Sequence, residues 1–83
     1  MLHFMTTHSA SSTLGALTAV ANSPMPEGIL WKMTYSDFEN NQFFLYFDAI
    51  SKEAIEGFFK KNGIAYDGIH KVVTFNVVKH ELE

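Results

Sequence analysis

No cysteine occurs in these 83 residues, so disulfide staples, thiolate nucleophiles and cysteine-based zinc or iron-sulfur sites are excluded together. A chain without disulfides suits a reduced compartment, and a cytoplasmic location is the expectation. Positive charge is scarce too: six Lys plus Arg stand against nine Asp plus Glu, a net charge of −3. No basic stripe forms that could neutralise phosphates and release counterions, so nucleic acid is not an expected partner. Long apolar runs are also missing. No stretch approaches the ~20 apolar residues that span a bilayer, so no membrane partner is expected either. The small apolar stretch "LGALTAVANS", Leu14 to Ser23, ends in an Ala19-Val20-Ala21 triplet like a cleavage site. Residues 1 to 13 hold no Lys or Arg, however, and Thr and Gly interrupt the run, which argues against a secretory signal.

What the chain has is apolar and aromatic surface. Hydrophobic residues make up 47 % and aromatics 14 %, eight of them Phe, too rich for a disordered chain. The length predicts a single domain over 1–83. At this size folding hides only about 60 % of the unfolded chain's surface, a marginal core that invites further burial by self-association.

Alternation in "MLHFMTTHS" predicts a strand over about 2–8, with Leu2, Phe4, Thr6 and His8 on one side and His3, Met5 and Thr7 on the other. Ser and Thr candidates for an N-cap, then Leu14, Leu17 and Val20, then Pro24 and Pro26, predict a short helix over about 12–21. "GILWKMTYSDFENNQFFLYFDA" reads as a hairpin of strands 28–35 and 42–48 around the polar loop "SDFENN". Simple alternation puts Ile29, Trp31, Met33 and Tyr35 on one face of the first of these, and Leu30, Lys32 and Thr34 on the other. "SKEAIEGFFKKNG" carries helix signals in order: Ser51 to cap, Glu53 in the first turn, Lys60 and Lys61 in the last, Asn62-Gly63 to stop. Its Ala54, Ile55, Phe58 and Phe59 draw one apolar stripe. A turn near Asp67-Gly68 and a Val-rich and Phe-rich strand over about 70–78 close the chain.

The order is therefore β-α-β-β-α-β, the α+β arrangement of a ferredoxin-like sandwich, with a four-stranded antiparallel sheet carrying both helices on one face. Helices on one side cannot cover strands that are apolar on both. Phe43, Leu45 and Phe47 must point opposite to Phe44 and Tyr46 in the third strand, and the Val and Phe run looks two-faced as well. An uncovered aromatic face of several hundred Å² is poorly tolerated by a monomer in water, so a homodimer with sheet facing sheet, a dimeric α/β barrel, is expected.

Four histidines, His3, His8, His70 and His80, are the only neutral-pH ligands or bases, and none shows the spacing of a preformed metal site. Strands one and three are central neighbours in this topology, so His8 and Asp48, each at a strand end, are read as one candidate pair. The bland alternative makes His8 a surface or capping residue and Asp48 a strand-end turn former. Trp31, Tyr35 and Tyr46 are candidates to line a ligand pocket between the sheets, with core or interface packing as the plainer role. His70 and His80 are expected in solvent or at the dimer edge. The serines have no His in register, so nucleophilic catalysis finds no support.

The segment "GILWKMTYSDFENNQFFLYFDAISKEAIEGFFKKNGI", the later "GIHKV" and the opening "MLHFMTTH" resemble the small ferredoxin-like proteins known as nickel-responsive or nickel-binding domains. In those, an aromatic hairpin leads into a strand ending on an acidic residue and then a "SKEA"-like helix start, matched here by Asp48 through Ala54; their opening strand often closes on a His, matched by His8. The resemblance implies dimerisation through sheets and nickel or another divalent transition metal held by His8 and Asp48. Some members carry a His in the second helix where Phe58 or Phe59 stands here, so water or the partner chain would have to complete the shell.

Two functions follow as expectations. The first is a noncatalytic homodimer that binds a divalent metal or a small ligand near the intersheet cavity. The second is a dimeric α/β-barrel enzyme of the monooxygenase or isomerase kind, using His8, Tyr35 or Asp48 as acid or base on a small aromatic substrate.

Overall fold

The structure, a computed structural model, describes residues 1–9, 18 and 20–82. Residues 18 and 20–22 are helical and are labelled α1; the remainder of the helix expected over 12–21 lies outside the described residues. Strands β1 (Leu2–Ser9), β2 (Ile29–Asp37), β3 (Gln42–Ala49) and β4 (Gly68–Val72) form one antiparallel sheet in the order β2-β3-β1-β4. Helix α2 (Lys52–Asn62) packs on one face of that sheet. This is a small α+β fold consistent with the ferredoxin-like arrangement. None of its helices is long and apolar enough to cross a membrane, among the described residues.

Helix α2 forms where its signals place it. The Ser51 hydroxyl accepts from the Ala54 amide at 3.2 Å, Glu53 sits at the positive end of the helix dipole and Lys60 and Lys61 at the negative end. Gly63 ends it at φ 65, a left-handed conformation that costs glycine nothing, and lets the Ile64 amide reach back to the Phe59 carbonyl. The stripe of Ile55, Phe58 and Phe59 is buried against Phe43, Leu45 and Phe47 of β3 and Phe4 of β1. Phe47 meets Phe58 and Phe59 edge-on, with ring centroids 6.5 and 5.9 Å apart. Truncating one such ring to Ala typically removes about 3–5 kcal/mol, against a total of roughly 4–12 kcal/mol for a chain of this length.

The β2–β3 turn is held by Asp37, whose carboxylate accepts from the Asn40 backbone and side-chain nitrogens and is thereby held below its usual pKa. Asn41, at φ 52, completes it. The ladder beyond this turn departs from simple alternation. Trp31 pairs with Phe47 and Met33 with Tyr46, so Lys32 is the extra residue of a β-bulge. The bulge shifts the phase of β2. Ile29 and Trp31 face the helices, whereas Met33 and Tyr35 face away with Leu30, correcting the grouping that regular alternation predicts. The Trp31 indole N–H donates to the Met33 carbonyl at 3.2 Å and braces the irregular backbone.

The expected last strand over 70–78 is also corrected. β4 stops at Val72, which pairs with His3, one residue short of the start of β1 at Leu2. Residues 73 and 74 lead instead into a separate minimal hairpin of β5 (Phe75–Asn76) and β6 (Glu81–Leu82).

The molecule is a slab of 38 × 33 × 18 Å, about one sheet and one helix layer thick. Its radius of gyration is 13.2 Å, where ~12 Å is typical of a compact 83-residue domain. Its surface of 5505 Å² likewise exceeds the ~5,000 Å² expected for a monomer of this mass.

Candidate functional site

The uncovered side of the sheet is built from alternate residues of all four strands. Cross-strand register puts Leu30, Asp48, His3 and Val72 in one row across it, and Met33, Tyr46, Met5 and His70 in the next. Tyr35, Phe44 and Thr7 follow in a third. Leu30 and Met33 are each 52 % exposed and Tyr35 50 %. The opposite face is dry, because Phe43, Leu45, Phe47 and Ala49 of β3 lie under the helix. β3 is thus apolar on both sides, and no described helix covers its outer aromatics.

A polar cluster sits within this apolar face. His3 Nδ1 lies 2.5 Å from Asp48 Oδ1, and Lys32 Nζ lies 3.5 Å from Asp48 Oδ2. The bulge explains the second contact, since an extra residue in β2 aims its side chain across to the next strand. Burial pushes the Asp48 carboxyl up, but the hydrogen bond from His3 and the charge of Lys32 outweigh it, and the group is held below the usual carboxylate range. An ionised Asp48 can only accept, so Nδ1 of His3 carries the proton of this hydrogen bond. The ring also stands edge-on to Tyr46, with centroids 6.0 Å apart. The Tyr46 hydroxyl lies 3.4 Å from Thr74 Oγ1.

His8 and Asp48 do not meet. β1 and β3 are antiparallel, so the end of one lies beside the start of the other: His8 is opposite Phe43, whereas Asp48 is opposite His3. The two also project to opposite faces. His8 is 2 % exposed, stacked on Phe43 at 4.5 Å and edge-on to Phe59 at 5.4 Å. Its Nδ1 lies 2.8 Å from the Ala65 carbonyl and must donate to it; Nε2 therefore accepts from the Thr6 hydroxyl, also at 2.8 Å. Desolvation lowers its pKa below the ordinary 6.5, outweighing the Ala65 hydrogen bond and the Asp67 charge. With both nitrogens engaged, His8 has no lone pair to give a metal. The expected nickel pair of His8 and Asp48 does not fit this arrangement, and no group of three or more His, Cys, Asp or Glu side chains converges among the described residues.

The expected ligand residues are split as well. Tyr35 and Tyr46 lie on the open face, but Trp31 is packed on the helix side against the core, a consequence of the bulge. His70 is exposed on the open face, and His80 lies beyond the sheet, edge-on to Phe75 at 6.3 Å. His3, not His8, is the histidine that faces Asp48. Its signal is present in the alternation of β1, which puts it with Met5, and in the antiparallel sense of β1 and β3, which puts it opposite Asp48.

A concavity of about 320 Å³ lies beside α2 on the helix side. Pro24, Ile29, Ala54 and Phe58 give it an apolar lining, Glu27, Lys61 and Asn62 a polar one. Its size is at the low end for small-molecule sites, ~300–1,000 Å³. It contains none of the aromatic residues expected to line a pocket.

No protein-family model and no curated protein matches this chain. Among solved structures, the crystal structure of SCO4226 from Streptomyces coelicolor A3(2) superposes with a TM-score of 0.67 at 22 % sequence identity. The match covers 84 % of this chain and 94 % of that one. Likeness at this identity is a likeness of fold: a small α+β domain with a four-stranded antiparallel sheet and two helices.

Proposed function

We propose that the chain is a noncatalytic binding protein that works as a homodimer, with the open sheet faces of two copies turned toward each other and a small organic ligand held between them. One observation carries this reading: Leu30, Met33 and Tyr35, each half exposed, adjoin Phe44, Met5 and Tyr46 on a sheet face that no described helix covers. The same face holds a charge-compensated carboxylate and the Tyr46 hydroxyl, polar groups that could orient a small aromatic molecule in an otherwise apolar space. Two facing sheets of this kind would form the dimeric α/β barrel. Methyl NMR on methionine-labelled protein tests the arrangement. Met5 and Met33 lie on the face and should shift on dilution, while Met25, outside the sheet, should not; titration with phenol should move the same two signals. Uniform shifts, or none, would contradict it.

A second reading, acid–base chemistry on an aromatic substrate, is favoured by the His3–Asp48 pair, in which a carboxylate orients an imidazole and leaves Nε2 to accept a proton. In this version His3 takes the role expected of His8. Proton exchange of a phenolic ketone probe that disappears in His3→Gln, with the dimer intact, would support it over simple binding.

A further inference from the structure

The pair Asn62-Gly63 stops α2, and it is also the most labile peptide link in the chain. Of the five asparagines only Asn62 precedes a glycine. In such a pair the glycine nitrogen can attack the Asn side-chain carbonyl carbon and displace ammonia, because a residue without Cβ leaves the approach unhindered. Here the helix end holds every group of that reaction apart. Asn62 is the last residue of α2, and a helical ψ of about −42° keeps the Gly63 nitrogen away from Asn62 Cγ. The attacking nitrogen is itself engaged, since the Gly63 amide donates to the Lys60 carbonyl at 3.4 Å. The side-chain nitrogen that would leave, Nδ2 of Asn62, donates to the Phe58 carbonyl at 2.9 Å. The Ile64 amide donates to the Phe59 carbonyl at 2.9 Å, and the Ile64 side chain is only 8 % exposed, part of the core. The bonds from Gly63 and Ile64 together make a Schellman motif, anchored by that buried isoleucine.

We infer that Asn62 is a modification site, converted to isoaspartate or aspartate whenever the last turn of α2 opens. In the open turn the Gly63 nitrogen gives its proton to water, bonds to Asn62 Cγ and expels the side-chain nitrogen as ammonia, leaving a five-membered succinimide. Water then adds at either of the two ring carbonyls and opens it to one acid or the other. Water is consumed, ammonia is released and nothing is oxidised or reduced. Neither product restores the closed turn. Aspartate only accepts, so it cannot donate to the Phe58 carbonyl, and its charge falls at the negative end of the helix dipole. Isoaspartate lengthens the backbone path by one carbon and breaks the helical spacing. Opening is thereby written into the chain as a lasting change. Gly63 is exposed and Asn62 only partly buried, so this turn can open while the sheet stays folded. The site is independent of the homodimer proposed above.

Peptide mapping tests both the site and its gate. Full-length protein is held at pH 8, with and without unfolding urea, and the peptide containing residue 62 is assayed over time for amide, aspartate and isoaspartate. In urea, conversion should concentrate at Asn62; in the folded protein it should be slower by about tenfold or more. Ile64→Val trims the buried anchor without emptying it, and should speed conversion in the folded protein by about two- to tenfold while leaving the rate in urea unchanged. Asn62→Asp reproduces one product and should melt below the wild type at pH 7. Conversion in urea that favours another asparagine overturns the site. Equal rates with and without urea, or an Ile64→Val protein that converts at the wild-type rate, overturn the gate. An Asn62→Asp protein as stable as the wild type overturns the lasting change.

Discussion

The imidazole of His8 lies parallel to the ring of Phe43, 4.5 Å away and tilted by only 5°, with both of its nitrogens hydrogen-bonded inside the protein. A histidine held this way is part of the core, and its burial favours the neutral ring. Its pKa is lowered below 6.5 in the folded state, so the unfolded chain binds the proton more tightly. The stability it contributes is complete above 6.5 and is lost as pH falls from there toward the folded value. Urea midpoints measured between pH 8 and pH 5 should therefore fall on acidification. His8→Leu should be less stable at pH 8, by about 1–3 kcal/mol for the unpaired Ala65 carbonyl and Thr6 hydroxyl, with a midpoint that is lower and flatter with pH. Equal slopes for the two proteins would contradict this role.

Gly57 occupies the middle of α2, and a Cβ built there meets nothing within 4 Å. Glycine in a helix interior costs roughly 0.5–1 kcal/mol relative to Ala. Gly57→Ala should raise stability by about that amount, read as a higher thermal midpoint. An unchanged or lower midpoint would mean that the apparent space beside α2 is filled in solution.

Asp48 is ionised more easily than a free carboxylate because His3 and Lys32 outweigh its burial. A depressed carboxyl stabilises the fold above its unfolded value of 3.8, and that contribution is lost as pH falls through the lower folded value. Asp48→Asn should thus be less stable than wild type at pH 7 and indistinguishable from it once the pH is well below 3.8. Lys32 is half exposed and contributes little, about 0–1 kcal/mol, so Lys32→Met should have a much smaller effect than Asp48→Asn. A gap between wild type and Asp48→Asn that persists in acid would point to packing, not charge.

Much of this fold was legible from local chemistry. The cap at Ser51, the stripe of Ile55, Phe58 and Phe59 and the stop at Gly63 are all short-range signals, and α2 obeys them. The central position of β1 and β3 followed from the element order. Three features depended on what happens between strands. The bulge at Lys32 leaves no mark on a polar and apolar pattern, yet it separates Trp31 from Tyr35. β4 ends at Val72, although Val73 to Val78 would suit a strand by propensity. The candidate site failed for a related reason. His8 and Asp48 each close a strand, but antiparallel pairing brings His3 to Asp48 and turns His8 into the core. Direction and register, not residue type, decided which histidine faces the carboxylate.

The open face is the centre of this account, and the association state tests it most directly. Size-exclusion chromatography with light scattering should give twice the 9.4 kDa chain mass for the wild type at micromolar concentration. Leu30→Asp, a substitution at a half-exposed position that leaves the core untouched, should give the single-chain mass with unchanged circular dichroism. A wild type that elutes as a monomer, or a Leu30→Asp protein that stays dimeric, would contradict the claim that two copies meet through this face.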